Sequence, residues 1–156
     1  MTAPADVVAV LRAAGATVAT AESLTGGLVC ASLVSVAGAS DVVRGGVVAY
    51  ASDLKTSLLG VDPGVVASRG TVDAIVAEEM AVGVRDRLGA TYGVSTTGVA
   101  GPDPSEGRPA GTVFVAVASP SGARSWPLDL PGGRDEVRSA AVDAVLSQLV
   151  ATVLAG

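Results

Sequence analysis

Thr20-Ala21-Glu22-Ser23-Leu24-Thr25-Gly26-Gly27 gathers a carboxylate, three hydroxyls and a glycine pair into one short run. Its flanks give it a place. Upstream, Ala16 to Ala21 predicts a short strand rich in Ala, Val and Thr, and downstream, Leu24 to Val36 predicts a helix in which Leu28, Ala31 and Val34 or Ser35 recur at helical spacing. A strand-to-helix junction leaves the first N–H groups of the helix unpaired, aimed at an anion above Ser23 and Thr25. The same run also reads as a plain helix start, with Ser23 as cap and Gly26-Gly27 allowing close packing on a sheet.

Working outward, Asp6 to Ala14 predicts a helix with Val7, Val8, Val10 and Leu11 on one face, stopped by Gly15. After a turn at 36–40, Val42 to Tyr50 predicts a second strand whose Gly45-Gly46 marks a bulge or a close backbone approach. Ser52 to Leu59 is a short helix closed by Gly60 and carrying Lys55, the sole lysine; Asp62-Pro63-Gly64 is a turn, and Gly70 breaks the segment that follows. Asp73 opens a helix to Leu88 with Ile75, Val76, Met80, Val84 and Leu88 as its apolar stripe.

Thr91 to Thr97 is a third strand that enters the glycine-rich loop Gly98-Val99-Ala100-Gly101-Pro102-Asp103 and then the polar run 104–109. Thr112 to Ala118 and Arg124 to Leu130 form a hairpin across Pro120-Ser121-Gly122, with Pro127 placing the last strand at an edge or interrupting it. Arg134 to Leu154 closes the chain as a long helix. Strands alternating with helices imply a three-layer α/β/α domain over residues 1–156, mostly parallel, to which the hairpin adds one antiparallel strand. In such sheets ligands bind beyond the carboxyl ends of the parallel strands, where Ser23, Tyr50 and Gly98 to Gly101 all fall.

Composition removes several classes of function. The 156 residues contain no histidine, which excludes histidine acid–base catalysis and every His-ligated metal site; with Cys30 as the one cysteine, zinc has almost no donors and no internal disulfide forms. Cys30 is expected as a small core residue. A net charge of −5 without clustered Lys and Arg makes nucleic acid an unexpected partner. No apolar run approaches the ~20 residues of a membrane span, and the N-terminus lacks a basic region ahead of an apolar one, so a soluble cytoplasmic protein is expected. The mean hydropathy of +0.56 fits a homo-oligomer that buries helix faces, most simply a two-fold dimer.

A serine nucleophile needs a proton acceptor, and without histidine the available one is a lysine with lowered pKa, assisted by a tyrosine hydroxyl. Ser23, Lys55 and Tyr50 fit those roles, although each alone also fits an ordinary position in a soluble domain. Gly98 to Gly101 could cradle a phosphate through backbone N–H groups or serve only as a turn into Pro102. Arg134 and Arg138 share a helix face and could clamp an anion, or belong to a solvated first turn with Asp135 and Glu136.

Taken together, the run Thr20 to Gly27, Gly45-Gly46-Val47-Val48-x-Tyr50 with Lys55 and Leu59-Gly60-Val61, Thr97 to Asp103, and Pro109-x-Gly111-Thr112-Val113 resemble the CinA carboxy-terminal domain family, in order and at matching separations. That family includes nicotinamide-nucleotide amidohydrolases, which convert nicotinamide mononucleotide to nicotinate mononucleotide and ammonia in pyridine nucleotide salvage. The resemblance implies a three-layer domain with a mixed five-stranded sheet and one antiparallel strand. It implies Ser23 as nucleophile, Lys55 and Tyr50 as the proton relay, and Glu22, Thr97 and Arg138 as further site residues.

N–H groups of Thr25 or Gly26 would then hold the oxyanion, and Gly98 to Gly101 with an arginine would hold the ribose phosphate. No metal or organic cofactor is implied. Leu24 stands where a cysteine is common, residues 51–54 lack the usual asparagine after the tyrosine, the loop 104–109 is short, and Arg108 replaces a lysine; these changes bear on substrate range. Many members also carry a second, nucleotide-processing domain, which these residues do not contain. The alternatives are a non-catalytic nucleotide-binding module on the same scaffold and an amidase for another small amide.

Overall fold

The computed structural model describes all residues, Met1–Gly156. Helix α1 (Pro4–Ala13), strand β1 (Val18–Glu22), helix α2 (Leu28–Val34) and strand β2 (Val43–Val48) come first; α3 (Ser52–Leu59), α4 (Pro63–Arg69) and α5 (Ala74–Leu88) follow, then β3 (Tyr92–Gly98), β4 (Thr112–Ser119), β5 (Gly122–Asp129) and α6 (Arg134–Ala155). One sheet holds all five strands in the order β2-β1-β3-β4-β5. β1 pairs in parallel with β2 and β3, whereas β3–β4 and β4–β5 are antiparallel, so β4 alone runs against the other four. The three-layer arrangement with one antiparallel strand is as expected.

Alternation along β1 sorts its side chains between the two helix layers. Val18 joins the core under α1, α2 and α6, together with Leu11, Leu33, Val113, Val137 and Leu149. Ala19 and Ala21 face the other way and pack with Leu59 of α3 and with Val76, Met80 and Val84 of α5. The two-residue period therefore sends Glu22 toward α2 and the next residue, Ser23, toward α3. α5 also packs Ala77 and Ala81 on Ala116 and Ala118 of β4, a contact of small side chains that lets the helix lie close to the sheet. Gly83 of α5 lies where any Cβ would collide with the Leu59 carbonyl, so glycine there fixes how near the end of α3 approaches.

Several local readings are refined. The pairing slips between Val18 and Ala19, and a Cβ on Gly46 would meet Thr20 Oγ1 and Cys30 Sγ, so the glycine pair serves both a bulge and a close approach. Cys30 is half-buried rather than a full core residue. Residues 63–69, read as a turn and a short link, form α4; the signal was Asp62 before Pro63, since Asp62 caps by accepting from Gly64 N–H at 2.8 Å and proline suits the first helical position.

Asp73 caps α5 through Ile75 and Val76 N–H, and Ile75 of the expected stripe is exposed. Burial pushes the Asp73 carboxyl up, but Arg69 and the two N–H groups outweigh it and hold the group below its ordinary value. β5 with Pro127 is indeed an edge strand. By length and composition α6, at 22 residues, could cross a bilayer, contrary to the expectation of no such segment. Its Val137, Ala141, Val145, Leu146 and Leu149 are fully buried against the sheet and α1, which accounts for the apolarity as that of a core helix.

Candidate active site

Ser23 directly follows the last residue of β1, yet its N–H still bonds the Thr96 carbonyl at 3.1 Å, which holds it to the sheet. Only 8% of it is exposed. Lys55, in the first half of α3, is the largest fully buried side chain of the protein. Its Nζ lies 3.1 Å from Ser23 Oγ, 2.8 Å from the Ala49 carbonyl and 3.3 Å from the Tyr50 carbonyl. No carboxylate forms an ion pair with it.

Burial pushes the Lys55 ammonium below the ordinary lysine value, and the negative charge of Glu106 opposes this only in part. A neutral amine has two N–H bonds and one lone pair. Protonated, Lys55 donates to Ser23 Oγ and to both carbonyls; once neutral, it would keep its N–H bonds for the carbonyls and turn its lone pair to the hydroxyl proton of Ser23.

Glu22 lies on the opposite side of β1 and is 1% exposed. Its Oε1 accepts from Thr25 Oγ1 at 2.6 Å, Gly27 N–H at 3.2 Å and Val29 N–H at 2.8 Å; Oε2 accepts from Cys30 N–H at 3.0 Å and Thr20 Oγ1 at 3.5 Å. The helix expected from Leu24 starts only at Leu28, and its first N–H groups are satisfied by this carboxylate instead of facing an anion above Ser23. Glu22 is thus an internal cap and does not line the cavity above Ser23. Thr25 is also internal, its hydroxyl 2.8 Å from that of Thr96.

Gly26 N–H is occupied by the Ser23 carbonyl at 3.0 Å, so it is not an oxyanion donor. The N–H groups of Leu24 and Thr25, immediately after Ser23, have no partner.

Above Ser23 and Lys55 opens a cavity of about 460 Å³. Thr97 lines it, its hydroxyl donating to the Thr71 carbonyl at 2.7 Å. Gly98 and Gly101 also line it; the N–H groups of Ala100 and Gly101 are unpartnered there, while that of Val99 bonds the Thr112 carbonyl. Tyr50 stands at the rim with 62% exposure, its hydroxyl 3.4 Å from Arg134. The hydroxyl contacts neither Ser23 nor Lys55, so the expected relay is corrected: Ala49 points inward and is fully buried, the next side chain turns outward, and only the Tyr50 carbonyl reaches Lys55.

Arg134 also donates to the Gly101 carbonyl at 2.6 Å and lines the cavity. Arg138, implied by the resemblance as a site residue with the choice of phosphate-holding arginine left open, is one helical turn further on and braces the turn after Ser23 from behind, donating to the Leu24 and Thr25 carbonyls at 2.9 and 3.4 Å.

Sequence reasoning missed Thr71 and Glu106. Ser105 and Arg108 exchange backbone hydrogen bonds, leaving Glu106-Gly107 as a two-residue turn with φ of 52° and 72°. Both values are positive, as in the primed hairpin turns that favour Asn-Gly or Asp-Gly. Glu106 occupies that unfavourable position with its carboxylate bound to Thr71 N–H, Thr71 Oγ1 and Val72 N–H at 3.0–3.2 Å. A Glu-Gly pair in a polar loop was the signal, but its partners lie 34 or 35 positions away.

The profile described as the CinA C-terminal domain matches residues 2–153. A CinA-like protein of Frankia casuarinae is 51% identical over 141 residues, 90% of this chain and 32% of its own length. A CinA-like protein of Myxococcus xanthus is 44% identical over 153 residues, 97% of this chain and 36% of its own. The chain therefore spans about a third of the length of the curated relatives it matches.

Among solved structures, the competence/damage inducible protein CihA from Agrobacterium tumefaciens superposes with a TM-score of 0.91 at 35% identity, covering 95% of this chain and 92% of that one. A CinA superfamily protein from Klebsiella pneumoniae 700603 gives 0.95 at 28% identity, covering 98% and 96%. Fold, motif order and these relationships agree: the chain belongs to the CinA C-terminal domain family.

Proposed function

We propose that the cavity hydrolyses the carboxamide of nicotinamide mononucleotide to nicotinate mononucleotide and ammonia. The observation that carries this reading is the buried Lys55 Nζ at 3.1 Å from Ser23 Oγ, with two carbonyls taking its N–H bonds. Ser23 Oγ attacks the carboxamide carbon while its proton passes to the Lys55 lone pair. The Leu24 and Thr25 N–H groups are the donors available to the tetrahedral oxyanion. Collapse breaks the C–N bond, Lys55 returns the proton to the departing nitrogen, and ammonia leaves. Water then attacks the acyl ester, its proton going to Lys55 and on to Ser23 as the C–Oγ bond breaks.

Arg134 and the unpartnered Ala100 and Gly101 N–H groups suit the phosphate. The mechanism uses no metal or organic cofactor. Val48 of edge strand β2 and Leu28 are exposed at 45% and 39%, which suits a two-fold dimer. Light scattering at the mass of one chain would contradict the dimer.

The test is ammonia release from nicotinamide mononucleotide by the purified chain, beside Ser23→Ala. Release that vanishes in a folded variant is expected. Tight mononucleotide binding without release by the wild type would assign a binding module instead, and release only from other amides would assign a different amidase.

A further inference from the structure

The cavity contains more negative charge than its proposed chemistry needs. Asp103 and Glu106 both line it, and neither forms an ion pair with any Lys or Arg side chain. The cationic groups lining it are Lys55, which must be neutral to accept a proton, and Arg134, which bonds the Gly101 carbonyl and the Tyr50 hydroxyl and suits the phosphate rather than either carboxylate. Glu106 is held in place at some cost: its φ of 52° is uncommon outside glycine, and the tight turn there would accept Asn or Asp more readily. Two neighbouring backbone N–H groups and the Thr71 hydroxyl orient its carboxylate without neutralising it. An oriented, uncompensated carboxylate beside a neutral base suits a ligand that brings its own positive charge.

We propose that Glu106 makes this cavity selective for carboxamides on a cationic ring, an N-substituted pyridinium, over the same amide on a neutral ring. The inference rests on the proposed amidohydrolase reading and adds what recognises the ring. Nicotinamide mononucleotide carries such a charge at its ring nitrogen, whereas free nicotinamide does not. A bound pyridinium would offset Glu106, whose charge otherwise favours protonated Lys55. The positive charge of the ring, set apart from the phosphate, thus offsets the influence of Glu106 on the base. Residue 106 is solvent-exposed, so water screens its charge and the preference is moderate.

The experiment compares two ligands of one shape: nicotinamide mononucleotide and the benzamide C-riboside 5′-phosphate, whose ring carries carbon in place of the charged nitrogen. Calorimetry on the Ser23→Ala chain, which should hold ligand without turnover, measures both dissociation constants. The cationic ligand is expected to bind about tenfold more tightly. Adding Glu106→Gln should bring the two affinities within about twofold, and Glu106→Asp should retain most of the preference. The readout is a ratio, so a general loss of affinity from a loosened loop does not imitate the effect.

Equal binding of the two ligands to Ser23→Ala, with wild-type ammonia release intact, would overturn the inference and leave the functional reading standing. A preference that survives Glu106→Gln in a folded protein would overturn the role of Glu106. Binding of neither ligand, together with no ammonia release, would overturn the functional reading and this inference with it.

Discussion

Glu22 and Ser23 are consecutive, nearly equally hidden at 1% and 8% exposure, and opposite in what they do. The strand's two-residue period turns Glu22 toward α2, where five donors surround its carboxylate, and turns Ser23 toward α3, where a single amine meets its hydroxyl. One side of β1 is saturated and serves as architecture. The other is left with a serine–lysine pair and two unpartnered N–H groups, which is how a candidate site differs from a cap. Burial alone does not separate the two; the number of partners does.

Substitution should separate them cleanly. The largest expected effect is on the reactive side: Ser23→Ala and Lys55→Met should each lower ammonia release by about 10³-fold or more in a steady-state assay. Lys55→Met strands two carbonyls but removes the titrating group, so it should change how the melting temperature varies with pH. The folded lysine pKa is lowered, so at neutral pH the folded state bears a cost that methionine removes; in the wild type that cost fades as pH rises through the folded pKa toward the unfolded one. The same pH dependence in the variant as in the wild type would mean that the lysine pKa is not lowered on folding.

Next in size, Glu22→Ala should cost about 3 kcal/mol of stability by urea unfolding, because it strands several buried donors at once. If that variant were as stable as wild type and defective only in substrate affinity, the assignment of the two sides would be reversed.

A smaller effect divides the two arginines of α6. Arg134→Ala should raise KM for the mononucleotide about tenfold with little change in kcat, as loss of an anion contact does. Arg138→Ala should act mainly on kcat and stability, because its guanidinium braces the Leu24 and Thr25 carbonyls. The smallest effect belongs to Tyr50→Phe, expected to change kcat by less than about threefold because its hydroxyl lies at the rim and only its carbonyl meets Lys55. A large loss of kcat would restore the hydroxyl relay.

Much of this was legible in the sequence. Ser23 and Lys55 stood out as candidates because, without histidine, a lysine was an available proton acceptor for a strand-end serine, and the resemblance to the CinA family gave them their roles. The strands and most helices followed from period and turn residues. What escaped has a common physical reason. The role of Glu22 depends on where α2 begins, and helix starts are set by which donors find acceptors, a matter of a few residues that periodicity does not resolve. Arg134 and Arg138 share a face in the sequence, and only the rise of one helical turn carries one to the cavity and the other behind it. Glu106 meets partners that no local pattern connects to it, and α4 buries none of its side chains, so it left no apolar stripe to read.

The central claim is that burial lowers the pKa of Lys55 where it meets Ser23, which is what a proton acceptor there requires. Because Lys55 is the only lysine, protein labelled with ¹⁵N-lysine yields one side-chain amine resonance, and its pH titration reports this group alone. A midpoint clearly below the ordinary value of 10.5, lost to the ordinary value on unfolding, is the predicted result. A midpoint at or above 10.5 in the folded protein would contradict it, leaving Ser23 without a base.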